Sequence, residues 1–280
     1  MRKLAGFFGA LLLLIVIGFV ATYYFGGPGA SENSAEARLA KEQSARQRAM
    51  FAELCKTSGV RIDRTETDVE GVVLLKIRTR SRDFDDQYTA EDPYGRDFSE
   101  DAYIMSFLQG FQNGRGELPS SGYTFVDVMN SVDGTRHRYT AAWMVVGRKD
   151  VAAPNVRHEL EINPGYDLNI YDFKLNAPTQ PKSTPRYGVT YDDISTHEQR
   201  SNWIAGSSLK IIDLTTNEVI AERIGYLMDP LRGSENGGRM PWLLAADYAC
   251  PAFEGRRGAI GQRRQTARFT ENVLKPLGVK

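Results

Sequence analysis

Leu4 to Phe25 is a run of 22 residues without a charged side chain, preceded only by Met1, Arg2 and Lys3. At about 1.5 Å of rise per residue, a helix of that length reaches about 33 Å, enough for a hydrocarbon core of roughly 30 Å. The positive-inside bias keeps Arg2 and Lys3 in the cytoplasm, so the sequence predicts export of everything after Phe25. Tyr23, Tyr24 and Phe25 supply rings suited to the far interface. The competing reading is a cleaved signal peptide, whose apolar core is about 7–15 residues and whose cleavage site needs small residues. Here the run is longer, and cleavage after Ala30 would put Pro28 where a small residue is wanted. The first cysteine is Cys55, which closes the lipoprotein route. The expected organisation is a cytoplasmic tip (1–3), a transmembrane anchor (4–25), a linker and stalk helix (26–56) and a periplasmic domain (57–280). In a bacterium this is a single-pass inner-membrane protein.

The 35 basic and 35 acidic residues cancel, so no global field draws the chain to nucleic acid. Cys55 and Cys250 are the two cysteines, and in an oxidising compartment they are expected to pair, the alternative being two separately buried thiols.

Gly26, Gly27, Pro28 and Gly29 break the apolar helix. Residues 33–56 are rich in Ala, Glu, Lys, Arg and Gln and predict a helix whose first half is solvated. Beyond Gly59 the period becomes that of strands. Residues 60–64 and 71–78 read as two strands joined by a polar turn, and 99–112 as a helix. Residues 123–129 and 136–146 flank Asp133-Gly134, a pair that favours a hairpin turn with positive φ at both centres. Another strand is expected over 168–175, and a last hairpin from 203–214 and 219–227. Short helices near 242–248 and 266–274 finish the chain. Five Gly–Tyr neighbours, Gly225-Tyr226 among them, read as bulges or strand ends. The fold class expected is α+β: a transmembrane helix and helical stalk followed by a mainly antiparallel β domain with a few packed helices.

No catalytic motif survives inspection. His137 lies between Arg136 and Arg138, while His158 and His197 are each followed by Glu but begin no His-Glu-x-x-His. Gly206-Ser207-Ser208 lacks the nucleophile elbow and falls within a strand. Asp192 and Asp193 point to opposite faces of theirs. No phosphate-binding glycine loop is present. Neither enzyme activity, metal nor cofactor is expected.

Two charge blocks stand out. Residues 82–101 hold Asp83, Asp85, Asp86, Glu91, Asp92, Asp97, Glu100 and Asp101 against Arg82 and Arg96. Residues 255–268 hold Arg256, Arg257, Arg263, Arg264 and Arg268 and no acid. These blocks read as solvated loops or as surfaces facing each other. The acidic block also reads as a recognition surface for a basic partner protein, through Asp83, Asp85, Asp86, Glu91, Asp92 and Asp97. Calcium held by Asp83, Asp85 and Asp86 lacks the spacing and glycine of an EF-hand.

The run Arg186-Tyr-Gly-Val-Thr-Tyr-Asp-Asp-Ile-Ser-Thr-His-Glu, with Trp203-Ile-Ala-Gly-Ser-Ser-Leu-Lys and Asn217-Glu-Val-Ile-Ala-Glu-Arg-Ile-Gly-Tyr, resembles a family of proteobacterial envelope proteins. Asp86-Gln-Tyr, Asp92-Pro-Tyr-Gly-Arg-Asp and Pro241-Trp-Leu-Leu-Ala-Ala-Asp-Tyr-Ala-Cys fit the same pattern. The family resemblance brings an association with interbacterial toxin and type VI secretion systems and no catalytic residues. It implies a periplasmic binding protein, of the immunity type, that captures a secreted antibacterial effector. The alternative is a structural subunit of an envelope complex. Either way a protein partner is expected, the membrane is met through residues 4–25, and nucleic acid is not a partner.

Overall fold

The computed structural model describes residues 28–78, 88, 92–95, 98–111, 122–130, 133–234, 242, 244–253 and 259–278. The chain divides into two compact units, Met1–Met50 and Phe51–Lys280. Among the described residues of the first unit all are helical, within α1 (Pro28–Cys55). Its Ala, Glu, Lys and Gln content suits a helix, and Arg38 Nε meets Glu42 Oε1 at 3.6 Å one turn on.

The expectation of a transmembrane helix as part of this architecture is corrected: among the described residues no helix is long and apolar enough to cross a membrane. The longest, α1, carries Glu32, Glu36, Arg38, Lys41, Glu42, Arg46, Arg48 and Glu53, charges too costly for a hydrocarbon core. The run 4–25 lies outside the described residues. The fold class is α+β, mainly sheet with few helices.

The second unit is built on one eight-stranded sheet. In chain order its strands and neighbours are β1 (Gly59–Ile62), β2 (Glu66–Val69), β3 (Gly71–Leu74), α2 (Glu100–Met105), β4 (Phe125–Met129) and β5 (Arg136–Tyr139). There follow β6 (Ala141–Arg148), α3 (Pro154–Ile162), β7 (Asn169–Leu175), β8 (Tyr187–Asp193), α4 (His197–Ser201), β9 (Ile204–Asp213) and β10 (Glu218–Met228). A 3₁₀ turn (Ala245–Asp247), β11 (Ala249–Cys250), α5 (Ala259–Gln262), α6 (Gln265–Val273) and β12 (Leu274–Pro276) complete it.

The sheet runs β1-β10-β9-β8-β3-β4-β5, with β11 also on β10. Most pairs are antiparallel, but β3 is parallel to both its neighbours, β4 and β8. The sequence explains this. Gly-Val-Val-Leu is an apolar run without alternation, buried throughout, as parallel central strands are. The segments read as neighbouring strands, β1 and β3, lie far apart in the sheet because β1 pairs with β10. Between them β2 leaves the sheet to pair in parallel with β12.

Asp133-Gly134 does join two antiparallel strands, β4 and β5. Only Gly134 has positive φ (69°), so the turn is not the two-residue type: Gly134 N donates to Asn130 O and Asp133 Oδ1 accepts from Thr135 N. Of the helix expected over 99–112 only α2 forms. The long β9–β10 hairpin is as read, and α6 buries Ala267, Phe269 and Val273 against Val72, Leu209 and Ile211. Each of these side chains larger than alanine, fully buried, contributes about 1.5–3 kcal/mol. Gly225 is a close approach rather than a bulge: a Cβ there would sit 2.1 Å from the Tyr94 ring.

Cys55, at the end of α1, and Cys250, in β11, form a disulfide with Cα atoms 5.5 Å apart.

Candidate functional site

Residues 136–146 were expected as one strand, but it breaks at Thr140. β5 stays in the main sheet, whereas β6 leaves it and pairs only with β7, as a separate two-stranded ribbon. Residues 149–168, including α3, form its connection. Alternate side chains of a strand point to opposite faces, so Trp143 and Val145 share one face and Met144 takes the other, with Val146 at a bulge where the register against β7 shifts between Val145 and Gly147. At the base the face of Trp143 is covered, its cross-strand neighbour Phe173 being buried in the core, but toward the tip apolar side chains stand exposed on both faces. Val145 is 58% exposed and Met144 and Val146 are each 46% exposed, and Ile170 of β7 joins them. Toward the tip Val151 and Ile162 add to this, the latter 69% exposed. Single exposed apolar residues are ordinary, whereas several on one ribbon are not.

The ribbon is held at both ends. At its base Trp143 packs on Phe173 (ring centroids 5.4 Å), Phe173 on Phe111 (5.9 Å), and Phe111 edge-on to Phe98 (5.3 Å), a relay into the core. At the far end Lys149 Nζ donates to Tyr166 Oη (2.6 Å) and Asp167 O (3.1 Å). Tyr171 Oη donates to Asp167 Oδ2 at 3.0 Å, and Asn169 N to Oδ1 at 2.8 Å. Pro154 begins α3 at a position where a missing N–H costs nothing. The result is a braced arm with exposed apolar side chains on both faces, the ion pair of Asp172 and Lys174 sharing the face of Met144.

Of the residues expected to form an acidic recognition surface, Asp83, Asp85, Asp86, Glu91 and Asp97 lie outside the described residues. Asp92 is described, and it presents no surface: it is fully buried. Its Oδ2 accepts from Arg78 Nη2 (2.9 Å) and Nε (3.3 Å), and its Oδ1 from Gly95 N (2.9 Å). Arg78 in turn stacks between the rings of Tyr103 and Tyr191, at 4.8 and 4.6 Å, and donates to Thr266 Oγ1 at 2.9 Å. Asp92 is therefore an interior anchor.

The two charge blocks do meet, though through neutral groups. Gln262 Nε2 donates to Pro93 O (3.0 Å) and Tyr94 O (2.8 Å), and Gln265 Nε2 to Gly95 O (2.7 Å). Within the basic block, Arg264 is buried with Glu271 at 2.7 Å, while Arg263 and Arg268 are exposed.

The histidines stay on separate elements. His137 in β5 lies beside Thr135 Oγ1 (3.3 Å), His158 is exposed on α3, and His197 opens α4, stacked on Tyr88 at 4.5 Å. Among the described residues no group of three or more His, Cys, Asp or Glu is placed to hold a metal ion. Asp192 and Asp193 part as read, to Lys210 and to Arg200.

Trp143 to Val146 was missed as a site because an unalternated apolar run reads as a strand buried on both faces. A strand exposed on both faces has the same pattern. The available signal was the adjoining polar stretch Arg148-Lys149-Asp150, which ends β6 without a turn back into the sheet. No protein-family model, curated protein or solved structure matches the chain.

Proposed function

We propose that this chain is a protein-binding module of the bacterial cell envelope, and that the β6–β7 arm is what holds its partner. The observation that carries this is the apolar set on both faces of a ribbon outside the main sheet. A two-stranded ribbon on its own is marginal in water, and a partner laid on it would bury Trp143, Val145, Met144 and Val146. The disulfide supports an oxidising compartment, and the family resemblance supports the envelope.

Within this reading the partner is either a secreted effector captured on arrival or a standing subunit of an envelope complex. The exposed apolar side chains on both faces favour the standing subunit, since permanent interfaces are the more hydrophobic class. The test is a pull-down of tagged full-length protein from detergent-solubilised envelopes, beside Val145→Asp and Met144→Asp variants. A fixed set of proteins held by the wild type and lost from both variants is expected. A protein recovered only when an effector-delivering strain is present would shift the reading to capture. Equal recovery by the variants would remove the arm from the proposal.

A further inference from the structure

A second site lies away from the arm, between the free edge of the main sheet and α6. β1 is the last strand of the sheet, and among the described residues it pairs with β10 alone. Its other edge therefore offers backbone donors and acceptors to an incoming strand. Register sets what each face shows. Arg61 pairs with Glu222 and points one way, toward the Glu222 carboxylate and Asp63. Val60 and Ile62 point the other way, beside Arg223, and both are exposed.

On that second face is a cavity of about 340 Å³. Val60 and Ile62 form one wall, Phe269 of α6 another, and Tyr94 and Phe253, whose rings lie 5.1 Å apart, a third. An apolar cavity of roughly 150 Å³ already accepts a benzene ring, so this one has room for a large apolar side chain. Its polar side chains are those of Arg223, Gln265, Arg268 and Asn272. The guanidinium of Arg223, stacked on Tyr94 and Phe269 at 5.1 and 5.4 Å, lines it. Arg268 lines it too, exposed on α6 and, among the described residues, without an ion pair. Gln265 also lines it and is 94% buried (6% exposed), with both donors of its amide in use while Oε1 accepts from no described residue. A buried acceptor left open is costly unless something donates to it.

An occupant that satisfies all of this carries an anion for the arginines, an N–H for Gln265, an apolar group for the cavity and an extended backbone for β1. We propose that the groove between β1 and α6 binds the C-terminal end of an extended peptide. The peptide pairs with the free edge of β1, seats its last apolar side chain in the cavity and lays its carboxylate against Arg223 and Arg268. Strand addition supplies affinity through the main chain, the pocket supplies side-chain choice, and the arginines require a free C-terminus.

The test is an array of random heptapeptides fixed by their N-termini, each present with a free C-terminal carboxylate and again as the amide. It is probed with the oxidised full-length protein. Peptides ending in a large apolar residue are expected to bind, with the amides about tenfold weaker, the worth of one charge-assisted contact. Because Arg223 is buried and its removal risks the fold, the diagnostic variant is the exposed Arg268→Glu. It is expected to weaken the best peptide about tenfold at an unchanged Tm. Val145→Asp is expected to leave peptide binding intact, so failure of the arm and failure of the groove are distinguishable. Equal binding of acid and amide, or no effect of Arg268→Glu, overturns the proposal. An array without binders, alongside saturable binding of decanoate, overturns it in favour of a lipid-like acid.

Discussion

At the scale of single residues the interior is held by carboxylates that each collect several donors. Asp213, at the end of β9, is the clearest. Its Oδ2 accepts from Arg186 Nη2 (2.7 Å), Arg186 Nε (3.0 Å) and Arg64 Nη2 (2.7 Å), and its Oδ1 from Thr215 N (3.0 Å). The Arg186 hydrogen bonds, against the opposing effect of burial, hold this carboxyl at about 2. Folding lowers its pKa, so its stabilisation is complete above the unfolded value near 4 and is lost as pH falls through about 2. Asp213→Asn is expected to cost about 1–2 kcal/mol in urea unfolding at pH 7, toward the low end because both arginines are partly exposed and screened. The wild type and the variant are expected to converge near pH 2; a gap of constant size from pH 7 to 2 would assign the effect to shape instead of charge. Nothing in the sequence separates Asp213 from the other acids, because its donors arrive from 149 and 27 residues away. For the same reason Asp92 reads as one more acid in a charged loop. Its partner, Arg78, lies at the far end of residues 79–91, and the rings that sandwich Arg78 come from α2 and β8.

At the scale of elements, what was legible follows local chemistry. The β9–β10 hairpin carries its own turn residues, and α6 its own helical spacing of apolar side chains, so both stand close to where the pattern puts them. What was not legible is partnership. β2 and β12, only four and three residues long, are strands because they find each other across the chain. α3, nine residues within the arm, has one buried apolar side chain, Val156, and so a weak helical stripe to read. The break at Thr140 decides most for the proposed function. Up to Tyr139 the strand pairs with β4 and from Ala141 with β7, and nothing in Arg-Tyr-Thr-Ala-Ala announces the change of partner. If the arm is stabilised mainly by what it binds, its amides should report this. Hydrogen exchange of β6 and β7 is expected to be at least tenfold faster than that of β9 and β10 in the free protein, and to slow when the partner is added. Protection in the free protein equal to that of β9 would show that the ribbon needs no cover.

At the scale of the whole molecule one covalent bond does what no single element can. The Cys55–Cys250 link spans 195 residues and ties the start of the second unit to the strand beside β10. It thereby closes a loop that includes the main sheet, the arm and the wall that Val60 and Ile62 give the proposed groove. The chain-entropy estimate for a loop so long is about 5 kcal/mol, drawn from the unfolded state and reduced by any residual structure there. The Cys55→Ser, Cys250→Ser double variant is expected to lose about 3–5 kcal/mol and about 10 °C in Tm, and dithiothreitol is expected to lower the wild type equally. Agreement between the two treatments matters, because serine replaces both sulfurs while reduction keeps them, adding two hydrogens and letting the thiols move apart. It bears on location too. A domain that loses this much on reduction is poorly suited to a reducing cytosol, which supports the envelope reading independently of residues 4–25. A Tm that reduction leaves unchanged would mean that β11 holds Cys250 beside Cys55 through its pairing with β10 alone, and the redox argument for export would fall.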